Sequence, residues 1–266
     1  MKVEIHDTPL SIGEHLAERI VDGIRARGSE GRAYVLGCPG GRSPMPVYEA
    51  IGRRLKVEPI DCSRLVIVMM DEYLQASGGD RLTPPPSSVH FSCRGFGERE
   101  IVGRINAALP AEFRIPRANF WMPDPSNPDD YDARIAAVGG IDLFLLASGA
   151  GDGHIAFNPP GSARDSRTRV VALAEQTRRD NLATFPDFRG IDEVPSHGVT
   201  IGIGSIAELS KSVAMIAWGE GKRHACERMS GATAYDATWP ATIAAECRAA
   251  ELHIDAAAAG RLGARP

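Results

Sequence analysis

Residues 141–154, IDLFLLASGAGDGH, decide the fold. Residues 141–147 form the most apolar run in the chain, short enough for a strand and lacking polar alternation, as a strand buried on both faces requires. Residues 148–154 are a Gly-rich turn that ends in an acid and a histidine. The same unit recurs outward from this point. Residues 33–36 run into GCPGGRSP (37–44), residues 65–70 end at Asp71-Glu72-Tyr73, and residues 213–218 run into Gly219-Glu220-Gly221-Lys222. Further strand candidates are residues 169–173, 199–203 and 252–254. Helical periods lie between most of them. Ser11 and Glu14 read as a capping box, followed by Ile12, Leu16, Ile20 and Ile24 as one apolar stripe ending near Gly28; Val47, Ile51 and Leu55 mark a second helix. Residues 75–86 read as a long irregular loop closed by three prolines. Buried strands alternating with helices predict an α/β fold: a doubly wound, mostly parallel sheet with helices on both faces, Rossmann-like, in a single domain spanning residues 1–266.

The chain has 266 residues, with 30 Lys+Arg against 34 Asp+Glu and a formal net charge of −4. No Lys/Arg-rich tract is present, so nucleic acid and anionic membrane are not expected partners. The start, MKVEIHDTPL, lacks the apolar core of a signal peptide, and no run is long enough to span a bilayer. The five cysteines (Cys38, Cys62, Cys93, Cys226, Cys247) are odd in number and scattered, without zinc spacing or a disulfide framework. The expectation is a reduced, cytoplasmic protein with no metal.

In open α/β sheets, ligands bind outside the carboxyl ends of the strands. The first such tip, residues 37–44, has glycines that let a backbone approach an anion, then a helix N-terminus with free N–H groups. It is neither a Walker loop nor a dinucleotide fingerprint. Alone it reads equally well as a tight turn that binds nothing. At the second tip, Asp71 can act as a general base or merely cap the next segment. At the third, His154 lies two residues after Asp152 among glycines with no evident packing role, where the carboxylate could hold it as an acid–base group. Lys222 could add positive charge for an anionic ligand, or simply be solvated. His6, His15, His90, His197, His224 and His253 have no comparable setting.

Taken together and in this order, these segments resemble the glucosamine-6-phosphate deaminase/6-phosphogluconolactonase family. Residues 37–44 look like its phosphate loop, Met70-Asp71-Glu72-Tyr73 like the deaminase M-D-E-Y, and residues 152–158 like D-G-H-I-A-F-N. Ser166-Arg167-Thr168-Arg169, Thr200-Ile201-Gly202-Ile203-Gly204 and Gly221-Lys222 follow in place, so the similarity covers nearly the whole chain. M-D-E-Y and H-I-A-F-N point to the deaminase or isomerase branch. The resemblance implies a doubly wound α/β fold, no organic cofactor or metal for chemistry, and a sugar phosphate as ligand; many members are homo-oligomers. It implies Asp71, Asp152 and His154 as catalytic residues, and Gly40, Gly41, Arg42, Ser43, Glu72, Gly153 and Lys222 as substrate-binding.

The implied reaction opens the sugar ring with His154, oriented by Asp152, and moves a proton from C2 to C1 with Asp71. The fructose-imine then hydrolyses to ketose 6-phosphate and ammonia. Several positions depart from the family. Pro159 stands where the deaminases carry a glutamate that helps place the histidine, and Ala183 aligns with their phosphate-binding arginine, for which Arg178, Arg179, Arg189 or Arg42 are candidate substitutes. Ser162 and Arg169 match the allosteric set of hexameric members, but Val171 and Ala172 do not, so activation by N-acetylglucosamine 6-phosphate is not expected. The alternatives are a lactonase-like hydrolase, which needs His154 but no C2 base, and a sugar-phosphate-binding homologue that has lost activity.

Overall fold

The computed structural model describes residues 1–78, 81–260 and 262. Its strands are β1 (Lys2–His6), β2 (Tyr34–Cys38), β3 (Leu65–Met69), β4 (Asp71–Ala76), β5 (Leu82–Thr83), β6 (Phe120–Trp121), β7 (Leu143–Leu146), β8 (Arg169–Ala172), β9 (His197–Thr200), β10 (Val213–Ala217) and β11 (Ala250–Asp255). Seven of them form one sheet in the order β1-β11-β10-β7-β2-β3-β6. Every pairing in it is parallel. The chain builds outward from β2 through β3 to β6, then returns to lay β7 on the other side of β2. That reversal opens a crevice at the carboxyl ends of β2 and β7, the place where such sheets bind ligands.

Alternation along the central strands explains the two helix layers. Leu36, Cys38, Leu65, Ile67, Met69, Leu143, Leu145, Ala214 and Ile216 face one apolar cluster, shared with the stripes of α1 (Pro9–Ser29) and α2 (Met45–Val57). Val35, Val66, Val68, Phe144, Leu146, Val213 and Met215 face a second cluster on the opposite side. Because both faces are covered, these strands read as unbroken apolar runs. Gly37 lies inside β2, not in the loop after it. A Cβ there would fall 2.2 Å from the ring of Phe144, so glycine lets β2 and β7 pair with that ring across them.

Several local expectations are corrected. The capping box of α1 is Thr8 with Ser11, not Ser11 with Glu14. The Ser11 amide donates to the Thr8 hydroxyl (3.2 Å) and the Thr8 amide to Ser11 Oγ (3.0 Å). Pro9, with its fixed φ and no N–H, suits the first turn and moves the start upstream. The larger correction is a second sheet, β5-β4-β9-β8, which is antiparallel. Asp71-Glu72-Tyr73 therefore opens a new strand, with Asp71 opposite Thr200. The segment of residues 75–86 is partly a hairpin, pairing Gln75 with Thr83 and Ala76 with Leu82; residues 79 and 80 lie outside the described residues. Among the described residues no helix is long and apolar enough to cross a membrane, and the five cysteines are free and buried.

Candidate active site

A cleft of about 510 Å³ lies at the carboxyl end of the parallel sheet, where the chain passes from β3 into the second sheet. The loop after β2, the loop after β7, the start of β4 and the turn after β10 all contribute to its wall. Gly40, Gly41, Arg42, Ser43, Asp71, His154 and Lys222 line it; Asp152 stands directly behind His154.

The β2 loop is tied from behind. Tyr48 of α2 donates its hydroxyl to the Pro39 carbonyl (2.8 Å), and the Trp218 indole donates to the Ser43 carbonyl (3.0 Å). Gly41 has φ +86°, a conformation that favours glycine. No side chain caps the N-terminus of α2; the Met45 and Val47 amides donate to the Arg42 and Pro44 carbonyls (3.2 and 2.9 Å) and Pro46 has no N–H, so the helix end offers the loop its positive dipole. On the opposite wall Lys222 donates Nζ to the Ser148 carbonyl. Burial holds its pKa below the usual lysine value, with Asp180 pulling it partly back.

The Gly-rich turn after β7 is shaped around a carboxylate–imidazole pair. Asp152 Oδ1 lies 2.7 Å from His154 Nδ1 and accepts the His154 amide at 3.1 Å. Burial pushes the Asp152 pKa up, but the bonds to His154 outweigh it and leave the carboxyl below its ordinary value. Two of the three glycines here do have packing roles, while a Cβ on Gly151 would meet nothing within 4 Å. A Cβ on Gly149 would fall 2.3 Å from His154 Nδ1 and 2.4 Å from Asp152 Oδ1. Gly153, at φ +67°, has its Cα hydrogen against the Trp239 indole, where a Cβ would fall 2.3 Å from the ring. Ala156, two residues beyond His154, is a non-glycine at φ 51°, a strained position of the kind that gathers at functional sites.

Asp71 is 6% exposed. Burial raises its pKa to about 7; the Cys93 thiol and His154 oppose that rise, and Glu72 adds to it. A carboxylate of that pKa is matched to accept a proton near neutrality.

Two residues expected to bind substrate stand elsewhere. Glu72 is 1% exposed and points away from the cleft. Its carboxylate accepts the amides of Tyr73 (2.9 Å), Cys93 (2.9 Å) and Arg94 (2.8 Å) and the Ser92 hydroxyl (3.1 Å), capping the helix that begins at Cys93. Alternation in β4 sends Asp71 and Glu72 to opposite sides, so only Asp71 reaches the cleft. Gly153 serves the backbone turn and the Trp239 contact rather than the cleft wall. Of the candidate substitutes for the arginine aligned at Ala183, Arg178 donates to the Ile191 and Val194 carbonyls (2.6 and 3.0 Å), and Arg179 pairs with Glu175 at the surface. The Arg189 amide binds Glu193 (2.9 Å). The cations in the described lining are Arg42 and Lys222.

The cleft also holds Cys93, Asp180 and Asn181, to which sequence reasoning assigned no role. Cys93 reaches it only because Glu72 anchors its helix, which nothing in the sequence marks. Asn181 closes the T-R-x-x-N stretch of residues 177–181, a signal that could have found it. Its Nδ2 is buried with no partner among the described residues.

No protein-family model matches the chain. Curated relatives do. A glucosamine-6-phosphate deaminase of Rhodococcus opacus is 36% identical over 268 residues, covering 98% of this chain and 93% of the relative. One of Pseudarthrobacter chlorophenolicus is 37% identical over 269 residues, with the same coverage. Among solved structures, a monomeric glucosamine-6-phosphate deaminase superposes with a TM-score of 0.82 at 26% identity, over 98% of this chain and 99% of that one. A 6-phosphogluconolactonase of Trypanosoma cruzi shares the fold, with a TM-score of 0.70 at 17% identity, over 98% of this chain and 96% of that one. With more than a third of its residues shared over nearly its whole length, the chain belongs to the glucosamine-6-phosphate deaminase family.

Proposed function

We propose that this protein converts glucosamine 6-phosphate, or a close epimer, to a ketose 6-phosphate and ammonia. The observation that carries the reading is Asp71, a buried carboxyl with a pKa of about 7, in the same cleft as the His154–Asp152 pair and the Gly-rich loop. A lactonase needs an activated water, and gains nothing from a second, weakly acidic carboxyl aimed into the cleft.

The sugar phosphate docks its phosphate on residues 40–43 at the α2 N-terminus, with Lys222 and Arg42 supplying charge. His154, held by Asp152, moves the O1 proton to the ring oxygen, which opens the ring to the aldehyde. Asp71 takes the proton from C2; the C–H electron pair forms the C1–C2 double bond as O1 takes up a proton. The same carboxyl then returns its proton to C1 while the amine nitrogen gives up one, leaving an imine at C2. Water adds to the imine carbon and ammonia leaves, giving the ketose. Each positioned acid or base supplies about 10²–10⁴-fold, and the anchored phosphate supplies orientation.

The test is to offer glucosamine 6-phosphate, galactosamine 6-phosphate and 6-phosphogluconolactone separately, following ammonia release and lactone loss. Ammonia from an amino sugar phosphate supports the reading. Lactone loss without ammonia would replace it with the hydrolase, and inactivity on all three would leave a binding protein.

A further inference from the structure

Far along the sheet from the cleft, at its β1 edge, three histidines and two glutamates converge. Lys2, Glu4 and His6 alternate onto one face of β1, and Glu251 and His253 onto the same face of β11; Glu4 lies opposite His253 in register. Helix α1 covers that face with His15 and, one turn on, Arg19. The three imidazole rings stand 5.3–5.4 Å apart, centroid to centroid. His6 Nε2 is 3.1 Å from His253 Nδ1, His15 Nε2 is 3.4 Å from Glu4 Oε2, and His253 Nδ1 is 3.7 Å from the same oxygen.

We infer that Glu4, His15 and His253, whose ligand atoms all lie within 4.8 Å of one another, form a binding site for a divalent transition ion such as zinc, with the fourth position open to water. The donor spacings are close to those of a coordination shell. A tetrahedral ion with bonds of about 2.0–2.1 Å places its ligand atoms about 3.3 Å apart, and Glu4 Oε2 lies 3.4 Å from His15 Nε2 and 3.7 Å from His253 Nδ1. Two imidazoles and one carboxylate select zinc, copper or nickel over magnesium or calcium, which take oxygen ligands. His253 anchors the site. It is wholly buried and turns Nδ1 toward Glu4, while its Nε2, on the other side of the ring, lies 3.4 Å from Glu251 Oε2. A carboxylate behind a metal-binding imidazole orients it. Arg19 holds Glu251 in place, and Lys2 engages Oε1 of Glu4, leaving Oε2 for the ion. His15, with its side chain 48% exposed, gives an entry path. A bound ion would tie the edge strand β1 to β11 and α1, stabilising the fold by mass action.

The experiment uses the untagged full chain, stripped with chelator and titrated with Zn²⁺ by calorimetry and with Co²⁺ by visible absorption. One equivalent should bind, Co²⁺ should give the intense bands of a tetrahedral site, and Zn²⁺ should raise Tm. His15→Ala and Glu4→Gln should each weaken binding by about tenfold or more, and Glu251→Gln by about 10–100-fold. His15 is exposed enough that its variant should keep the metal-free Tm and the ammonia-releasing activity. His154→Ala should bind as wild type does. The inference is overturned if no ion binds, or if the His15 and Glu4 variants bind it with wild-type affinity.

Discussion

Replacing Asp71 by asparagine should stabilise the protein at neutral pH while it removes activity. In the unfolded chain this carboxyl titrates near 3.8; in the fold, burial holds it at about 7. Between those values the folded state keeps a proton that the unfolded state has released. The stability contributed by the protonated form is therefore fully present below 3.8, is lost as pH rises, and levels off above about 7. From about pH 5 to about pH 7 the loss is two pH units at 1.36 kcal/mol each, or about 3 kcal/mol. Asparagine cannot ionise, so the Asp71→Asn protein lacks this slope, while every other titrating group contributes equally to both proteins. Urea denaturation at about pH 5, 6, 7 and 8 measures the difference directly. The variant should gain about 3 kcal/mol on wild type between the acidic and neutral ends, with most of the gain below about pH 7. Parallel stability profiles would refute the reasoning, since they would mean that the carboxyl is not held protonated by its burial. A gain of this kind is the stability–activity trade-off expected where a fold keeps a poorly solvated base for chemistry.

Gly149→Ala should separate the Asp152–His154 pair, because the new Cβ falls within 2.4 Å of both. Ammonia release from cyclic glucosamine 6-phosphate should drop by about 10²-fold or more, with urea unfolding little changed. Lys222→Met removes a half-buried cation from the cleft. It should weaken fructose 6-phosphate binding by about 10–100-fold, the worth of a charged hydrogen bond, measured by thermal shift with unphosphorylated fructose as the control. Pro159, outside the described cleft lining, leaves Asp152 to orient His154 without the family's glutamate. Pro159→Glu should raise the rate on cyclic substrate and leave an open-chain analogue unaffected; equal gains on both would remove Pro159 from ring opening.

The parallel sheet was legible because its central strands are covered on both faces and read as plain apolar runs. β1 was not, since KVEIH at a sheet edge carries charge on one side and looks like a surface segment. The antiparallel sheet escaped for another reason. β4 follows β3 with only Met70 between them, so the sequence shows one apolar run ending in acids where the structure has two strands in different sheets. In the cleft, Asp71, His154 and the residue 40–43 loop were legible because strand ends place them there. Glu72 was misassigned because adjacency in sequence hid the alternation that sends it to the Cys93 helix. The β1-edge histidines gave no signal, because His6 and His253 are 247 positions apart and meet only through strand pairing.

The central claim is that Asp71 moves the C2 proton of an amino sugar phosphate bound in this cleft. The direct measurement is turnover of glucosamine 6-phosphate carrying deuterium at C2, with the label followed by NMR in wild type and Asp71→Asn. In wild type the label should leave C2, appearing at C1 of fructose 6-phosphate or in solvent, and deuterium should slow the reaction. In the variant the label should stay at C2 while fructose 6-phosphate still raises Tm, showing that the phosphate site survives. Loss of the label from C2 at the wild-type rate in the Asp71→Asn protein would contradict the account.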